Sequence, residues 1–351
     1  MGASKEKFRL KVYNKIEDFK QVKNLVATVG TFDGVHVGHQ EIIGKLKEVA
    51  KQTDGETLLL TFFPHPRMVL FPDDDSLKLI NTLKEKTELL ASFGLDHLLI
   101  LPFSVEFSRI TPTEYIRDLL IRDIGVKTLV IGYNHQFGRN RKGNFELLEE
   151  LAPVYGFDVV EITAQEINEI KVSSTKIRRA IESGDISTAN DYLRYKFSLS
   201  GIVVKGEQIG RQIGFPTANI KVLEKHKLLP GKGVYAVTVK VQNHQYKGML
   251  NIGSRPTINS DTDCSSIEVH LFGMNEDCYN ENIQVEIASA REEKYNSESR
   301  KPSKISYTDL HGDLVRRDFT INAMAMHISS ENFGLLTDPY NGLADIENKI
   351  L

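Results

Sequence analysis

Gly30-Thr31-Phe32-Asp33-Gly34-Val35-His36-Val37-Gly38-His39-Gln40 constrains this chain more than any other stretch. Before it, Leu25-Val26-Ala27-Thr28-Val29 is an apolar run short enough for a buried strand. After it, Ile42, Ile43, Leu46, Val49 and Ala50 recur at helical spacing. The stretch is therefore a strand-to-helix turn. In an open α/β sheet such a turn lies at the carboxyl ends of the strands, where the first N–H groups of the helix and its partial positive charge face an anion. Gly30, Gly34 and Gly38 allow close backbone approach, and His36 and His39 add imidazole donors for phosphate oxygens. A nucleoside triphosphate suits such a site. Four letters alone would leave a glycine-containing turn with two surface histidines as the plainer reading, but the flanking strand and helix favour function.

At 351 residues the chain is long enough for two or three domains. A formal net charge of −3 makes no electrostatic case for a nucleic-acid or membrane binder as a whole. Cys264 and Cys278 lack zinc-type spacing, so no disulfide framework is expected and a cytoplasmic location is the simpler expectation. Met1 to Leu10 is polar, without the apolar centre of a signal peptide.

From Leu25 to about Ser183 strand and helix patterns alternate. Strands are expected at Thr57–Phe62, His97–Leu101, Thr128–Ile131 and Asp158–Ile162, and helices near Leu83–Phe93, Thr113–Ile124 and Asn144–Tyr155. Thr111-Pro112-Thr113-Glu114 carries a capping box with proline at the first helical position. The alternation predicts a doubly wound parallel sheet. Three loops at strand ends then read as one site. Phe62-Phe63-Pro64-His65-Pro66-Arg67 offers aromatic, imidazole and guanidinium groups on a stiff loop. The segment from Gly132 through Asn134, Phe137 and Gly138 to Asn144 mixes aromatics with Arg139, Arg141 and Lys142, suited to stacking on a flat ring and neutralising phosphate. Ser173-Ser174-Thr175 opens a helix with Arg178 one turn on, a second phosphate cradle. Each loop taken singly is as well explained as a solvated connection.

Together these stretches, with Ser-Ser-Thr-x-Ile-Arg, resemble the adenylyltransferase half of bacterial bifunctional riboflavin kinase/FAD synthetase over about residues 10–195. The resemblance implies catalysis at His36 and His39, ATP contacts at Gly30, Phe32, Gly38, Ser174, Thr175 and Arg178, and flavin contacts at Phe62, His65, Pro66, Arg67, Asn134 and Phe137. Asn134 departs from the aspartate expected there.

After Tyr192 short alternating runs separated by turn residues predict a small antiparallel barrel. Its longest loop, Gly206 to Asn219, contains no P-loop motif, so phosphate must be held otherwise. Arg211 can pair with phosphate, and Thr217 and Asn219 place two neutral oxygens on one side of an extended segment, suited to Mg²⁺. A barrel corner with incidental polar residues is the alternative. Gly214-Phe215-Pro216-Thr217-Ala218-Asn219 resembles the riboflavin kinase motif, which implies ATP contacts at Gly210 and Arg211, Mg²⁺ at Thr217 and Asn219, and Glu268 as the base for the flavin 5′-hydroxyl. From the residues alone, Glu268 between Ile267 and Val269 fits a solvent face equally well.

From about Ala288 the resemblance changes. Arg316-Arg317-Asp318-Phe319-Thr320-Ile321-Asn322-Ala323 and Asp338-Pro339-Tyr340-Asn341-Gly342 resemble the head domain of tRNA CCA-adding nucleotidyltransferase. No Gly-Gly-x-Val-Arg-Asp precedes them, and the piece is expected to be an incomplete α+β fragment without activity. The expected organisation is an FMN adenylyltransferase domain over 1–184, a linker over 185–198, a kinase barrel over 199–287 and the fragment over 288–351. Riboflavin, FMN and ATP are the expected small-molecule partners, with FAD as product and neither membrane nor nucleic acid as partner. A single-activity adenylyltransferase, with the kinase impaired by the replaced carboxy terminus, and a non-catalytic chimera are the alternatives.

Overall fold

The computed structural model describes residues 10–163, 172–206, 216–242, 244–254, 265–274, 277–288, 292–295, 302–306, 314, 323–327 and 334–348. It divides into two compact units. The first runs from the amino-terminal strand through Arg178 and includes Tyr192–Arg194 and His226–Leu228; the second holds the remainder.

The first unit is built on six parallel strands: β1 (Lys11–Tyr13), β2 (Val26–Val29), β3 (Thr57–Phe62), β4 (His97–Leu101), β5 (Thr128–Gly132) and β6 (Asp158–Ile162). Their order across the sheet is β1-β4-β3-β2-β5-β6. Successive side chains of a strand point to opposite faces, and here both faces are covered. Ala27, Val29, Leu58, Leu60, Leu99 and Leu129 join one core with Ile116, Leu120 and Leu148. Val26, Leu59, Leu98, Ile100 and Val130 join another with Ile43, Leu46 and Leu90. Burial on both faces is why the strands read as continuous apolar runs, each fully buried leucine contributing about 1.5–3 kcal/mol. The sheet is thus doubly wound, as the alternation of elements predicts.

α1 (Val37–Gln52), α3 (Leu83–Ser92), α4 (Pro112–Glu114) running on as a wider π-type turn over Tyr115–Ile124, and α5 (Phe145–Tyr155) keep to their expected places, whereas the short α2 (Pro66–Leu70) forms at the end of what the sequence reads as a loop, with Pro66 at its first position. The capping box at Thr111 and Glu114 forms, and Thr82 with Glu85 makes a second one at the start of α3. Two further helices follow, α6 (Ser174–Glu182) and α7 (Ile186–Leu193). From β2 the chain winds to β3 and β4 on one side and then crosses to β5 on the other. The reversal lies between β2 and β5, so the crevice for a ligand opens where β2 ends, at Gly30.

In the second unit β7 (Ser198–Val204), β8 (Thr217–Lys221), β9 (Gly233–Val241), β10 (His244–Ser254), β11 (Ser265–Leu271) and β12 (Asn282–Ala288) close into an antiparallel barrel. Leu199, Val203, Val239, Leu250, Val269 and Val285 are fully buried. Beyond it the described residues form two small ribbons, β13 (Glu292–Tyr295) with β14 (Pro302–Ser306) and β15 (Ala325–Met326) with β16 (Leu336–Thr337), then a helix α8 (Gly342–Asn348) whose first N–H groups are capped by Asp338.

Candidate functional sites on the sheet and on the barrel

Between β2 and α1 the backbone is held in a conformation that L-residues rarely adopt. Phe32 has φ 47° and Val35 φ 35°, and Gly34 lies between them at φ 88°. A β-branched residue at positive φ costs on the order of 1–3 kcal/mol and persists only where surrounding contacts over-determine it. Those contacts are present. The buried carboxylate of Asp33 accepts from Ile80 N at 3.0 Å and pairs with Arg178 at 2.5 Å. Lys86, buried on α3, donates to Thr31 O and Thr61 Oγ1, each at 3.1 Å. A Cβ on Gly34 would meet Ile80 Cδ1 at 2.8 Å.

The loop delivers His36 as the N-cap of α1, buried, with its ring stacked on His39 at 3.7 Å between centroids. Phe32 lies against the other side of the pair, 4.7 Å from His39. Neither His36 Nδ1 nor His39 Nδ1 has a hydrogen-bond partner, although both atoms are buried. An unpaired buried polar atom is costly, and two side by side at a helix N-terminus form a cradle suited to a ligand's oxygens. Burial pushes the His36 imidazole down to about 4, and burial together with the neighbouring His36 holds His39 well below the ordinary histidine range. Both rings are therefore neutral near pH 7, each with one N–H to donate.

The other predicted loops surround the same strand ends. His65 caps α2, its Nδ1 accepting from Arg67 N at 3.2 Å with Pro66 at the first helical position; burial holds it at about 4. Arg67 is exposed and paired with Asp74 at 2.7 Å. At the start of α6 Ser174 Oγ donates to Asp33 O at 2.9 Å, and Thr175 is exposed. Arg178 is drawn inward: besides Asp33, its Nε donates to Lys78 O at 2.8 Å. Phe137 is buried and Asn134 exposed. Rings run in a chain from Phe62 through Phe103 and Phe107 to Tyr115 and Phe137, with 5.2–6.3 Å between neighbouring centroids.

On the barrel, Ala218 and Ile220 of β8 and Ile267, Val269 and Leu271 of β11 are buried, so Thr217, Asn219 and Glu268 take the outward face. The antiparallel register sets Asn219 directly opposite Glu268, and Glu268 opposite Asn251 on β10. Glu268 therefore alternates outward and yet stands in a polar row, which unites the two readings its strand left open. A Cβ on Gly206 would lie 2.2 Å from Asn219 Nδ2, so only glycine leaves room for this amide. Thr217 and Asn219 offer neutral oxygens beside a carboxylate, a donor set that suits Mg²⁺ retaining waters. Gly210 and Arg211 lie outside the described residues.

Comparison with known families gives two consecutive matches, FAD synthetase over residues 18–176 and riboflavin kinase over 193–300. A curated bifunctional riboflavin kinase/FMN adenylyltransferase from Buchnera aphidicola is 35% identical over 279 residues, spanning 79% of this chain and 88% of the relative. The chain belongs to the bifunctional riboflavin kinase/FMN adenylyltransferase family. A relative of the same description from Listeria monocytogenes is 36% identical, over 75% of this chain and 82% of its own. A crystal structure described as a macrolide-efflux protein from Streptococcus pneumoniae shares 30% identity at a TM-score of 0.71, covering 79% of this chain and 89% of that one. Among the described residues no helix is long and apolar enough to cross a membrane. A third family match, the poly A polymerase head domain, covers 257–351 and overlaps the riboflavin kinase match over 257–300. The change of resemblance near Ala288 falls inside that overlap. Most of the Arg316–Ala323 motif lies outside the described residues.

Within this family frame, Asp33, Lys86, Phe103 and Phe107 extend the site beyond what sequence reading named. Lys86 reads there as one more charge on an amphipathic helix, and only the fold carries it under the glycine turn.

Proposed function

We propose that the chain makes FMN from riboflavin and FAD from FMN, each step consuming ATP. The observation that carries the adenylyl transfer is the neutral, stacked His36–His39 pair, with both Nδ1 atoms unpartnered at the amino end of α1. An oxygen of the FMN phosphate attacks the α-phosphorus of ATP, the bond to the β-phosphate breaks, and pyrophosphate leaves. His36 and His39 donate to the phosphate oxygens, while the α1 N-terminus, Gly30 and Gly38 admit the chain of phosphates. Because the imidazoles are fixed and desolvated before substrate arrives, little reorganisation is needed as charge shifts to the leaving group. Arg178, held by Asp33, brings a guanidinium to the same turn, with Ser174 and Thr175 at the start of α6. Phe62, His65, Pro66, Arg67, Asn134 and Phe137 surround the flavin in this reading, and the ring chain through Phe103 and Phe107 supports an aromatic substrate.

At the barrel the riboflavin 5′-hydroxyl attacks the γ-phosphorus, its proton passes to Glu268, and ADP leaves. Thr217 and Asn219 would hold Mg²⁺, which supplies charge neutralisation for the triphosphate when bound. Gly210 and Arg211 contact ATP in the same reading. Chromatography of products after incubating the purified chain with ATP, Mg²⁺ and either riboflavin or FMN tests both steps. FAD from FMN and FMN from riboflavin are expected; absence of either product refutes the corresponding half.

A narrower reading, adenylyl transfer with weakened phosphorylation, is favoured by one observation. The poly A polymerase head match begins before the riboflavin kinase match has ended. In this reading the head-domain sequence takes the place of the end of the riboflavin kinase sequence, so near-attack geometry at Glu268 is less populated. Phosphorylation much slower than adenylylation in the same preparation is its signature.

A further inference from the structure

Residues 226–228 follow the barrel strand β8 in sequence but belong to the compact unit of the sheet. There they pair with the residue before Ile80: Leu79 N donates to His226 O at 2.7 Å, and Leu228 N donates to Leu79 O at 2.8 Å. Between them Lys227, fully buried, turns its Nζ to Ile80 O at 2.7 Å and to Glu85 Oε2 at 2.6 Å. That same Glu85 oxygen accepts from Thr82 N and closes the capping box of α3, while Oε1 is buried without a partner.

The strip that Lys227 fastens, Lys78–Asn81, is the one that orients the phosphate turn from behind. Ile80 N and Asn81 N both point to Asp33 Oδ1, at 3.0 and 3.4 Å, and Lys78 O receives Arg178 Nε. Asp33 Oδ2 in turn fixes the other arm of the Arg178 guanidinium. Ile80 Cδ1 is also the atom that closes the space above Gly34. A charged hydrogen bond at Ile80 O and backbone pairing at Leu79 thus act on the same strip whose Ile80 N and Lys78 O hold Asp33 and Arg178. We propose that Lys227 is a positioning residue for adenylyl transfer: encoded within the riboflavin kinase half, it sets the Lys78–Asn81 strip and through it the Asp33–Arg178 pair that meets ATP. This rests on the assignment of ATP to the His36–His39 turn.

Burying a lysine beside a glutamate makes the single truncation ambiguous, since it strands the Glu85 charge as well as releasing Ile80 O. The test therefore uses the full-length chain with Lys227→Met and with the double variant Lys227→Met/Glu85→Gln, which removes both charges while the new amide oxygen can still accept from Thr82 N. FAD formation from FMN is followed against ATP concentration, alongside thermal unfolding. Loss of a hydrogen bond from a charged donor predicts a rise of about 10–100-fold in KM for ATP, with kcat changed far less. The double variant should regain thermal stability but keep the raised KM, a split that a purely structural role would not produce. A stable double variant with the wild-type KM for ATP overturns the inference. A wild-type chain that makes no FAD overturns instead the adenylyltransferase reading on which the inference stands.

Discussion

The rings of His36 and His39 lie face to face, 3.7 Å between centroids and 16° from parallel. Two imidazoles that close cannot both carry a proton cheaply, and burial removes the water that would screen them. The pair is therefore neutral, and in the proposed reading it meets phosphate oxygens through N–H groups rather than net charge. Replacing either with alanine, His36→Ala or His39→Ala, removes its N–H and should lower FAD formation from FMN by about 10²–10³-fold, the usual cost of one preorganised donor. Riboflavin phosphorylation should be unaffected. Steady-state rates for both reactions in one preparation decide it, and equal losses in the two would point to general unfolding.

Acid should weaken this chain in a defined window. His36, His65 and His135 are each held down to about 4, in every case chiefly by burial. In the unfolded chain they titrate near 6.5. Between these values the unfolded state binds more protons than the folded one, so stability rises with pH across the interval. The contribution is complete above about 6.5 and is lost as pH falls toward 4. For His36 alone it is on the order of 3 kcal/mol. Thermal unfolding at pH 7.5 and pH 4.5 should show the loss, with a shallower slope in the His36→Ala variant. An unchanged slope in that variant would contradict the depressed imidazole.

Gly206 offers a test of the barrel site that leaves its chemical groups intact. A Cβ there would sit 2.2 Å from Asn219 Nδ2, so Gly206→Ala must push the amide out of its row. The Mg²⁺ concentration needed for half-maximal FMN formation should rise about 10–100-fold, as when a residue supporting a metal ligand is lost. FAD formation from FMN should keep its wild-type rate. A Mg²⁺ titration following both products checks this, and an unshifted requirement would detach Asn219 from the metal.

How far the chain could be read from its residues follows from where the information lies. β3 and β4 have the limits their apolar runs predict, because strands buried on both faces leave no alternative period. β1 goes unread: Lys11–Tyr13 is a three-residue edge strand, too short for any periodicity to register. The glycine turn and its histidines are contiguous in sequence and so are legible. Asp33 is visible in the same turn, but its partners Ile80 and Arg178 are brought to it only by the fold. Lys227 is the extreme case, 142 positions from the glutamate it meets. The outward face of Glu268 is predictable from alternation, whereas its place opposite Asn219 depends on a register that no single strand encodes.

That register leads to the last expectation. Glu268 lies on β11 with Asn219 on one side and Asn251 on the other, so its carboxylate belongs to a row of neutral amides. In the proposed reading this carboxylate takes the proton of the riboflavin 5′-hydroxyl. Glu268→Gln keeps the size and the hydrogen-bonding shape but removes the basic oxygen. General bases typically contribute ~10²–10⁴ in rate, so FMN formation from riboflavin should fall by that factor in kcat. KM for riboflavin should move little, since the replaced group acts on the proton in flight and not on the bound ring. FAD formation from FMN, which depends on the sheet unit, should continue at the wild-type rate. Product chromatography with riboflavin and then with FMN as substrate separates the two. An undiminished yield of FMN would return Glu268 to an ordinary solvated position on the barrel and require another base for the 5′-hydroxyl.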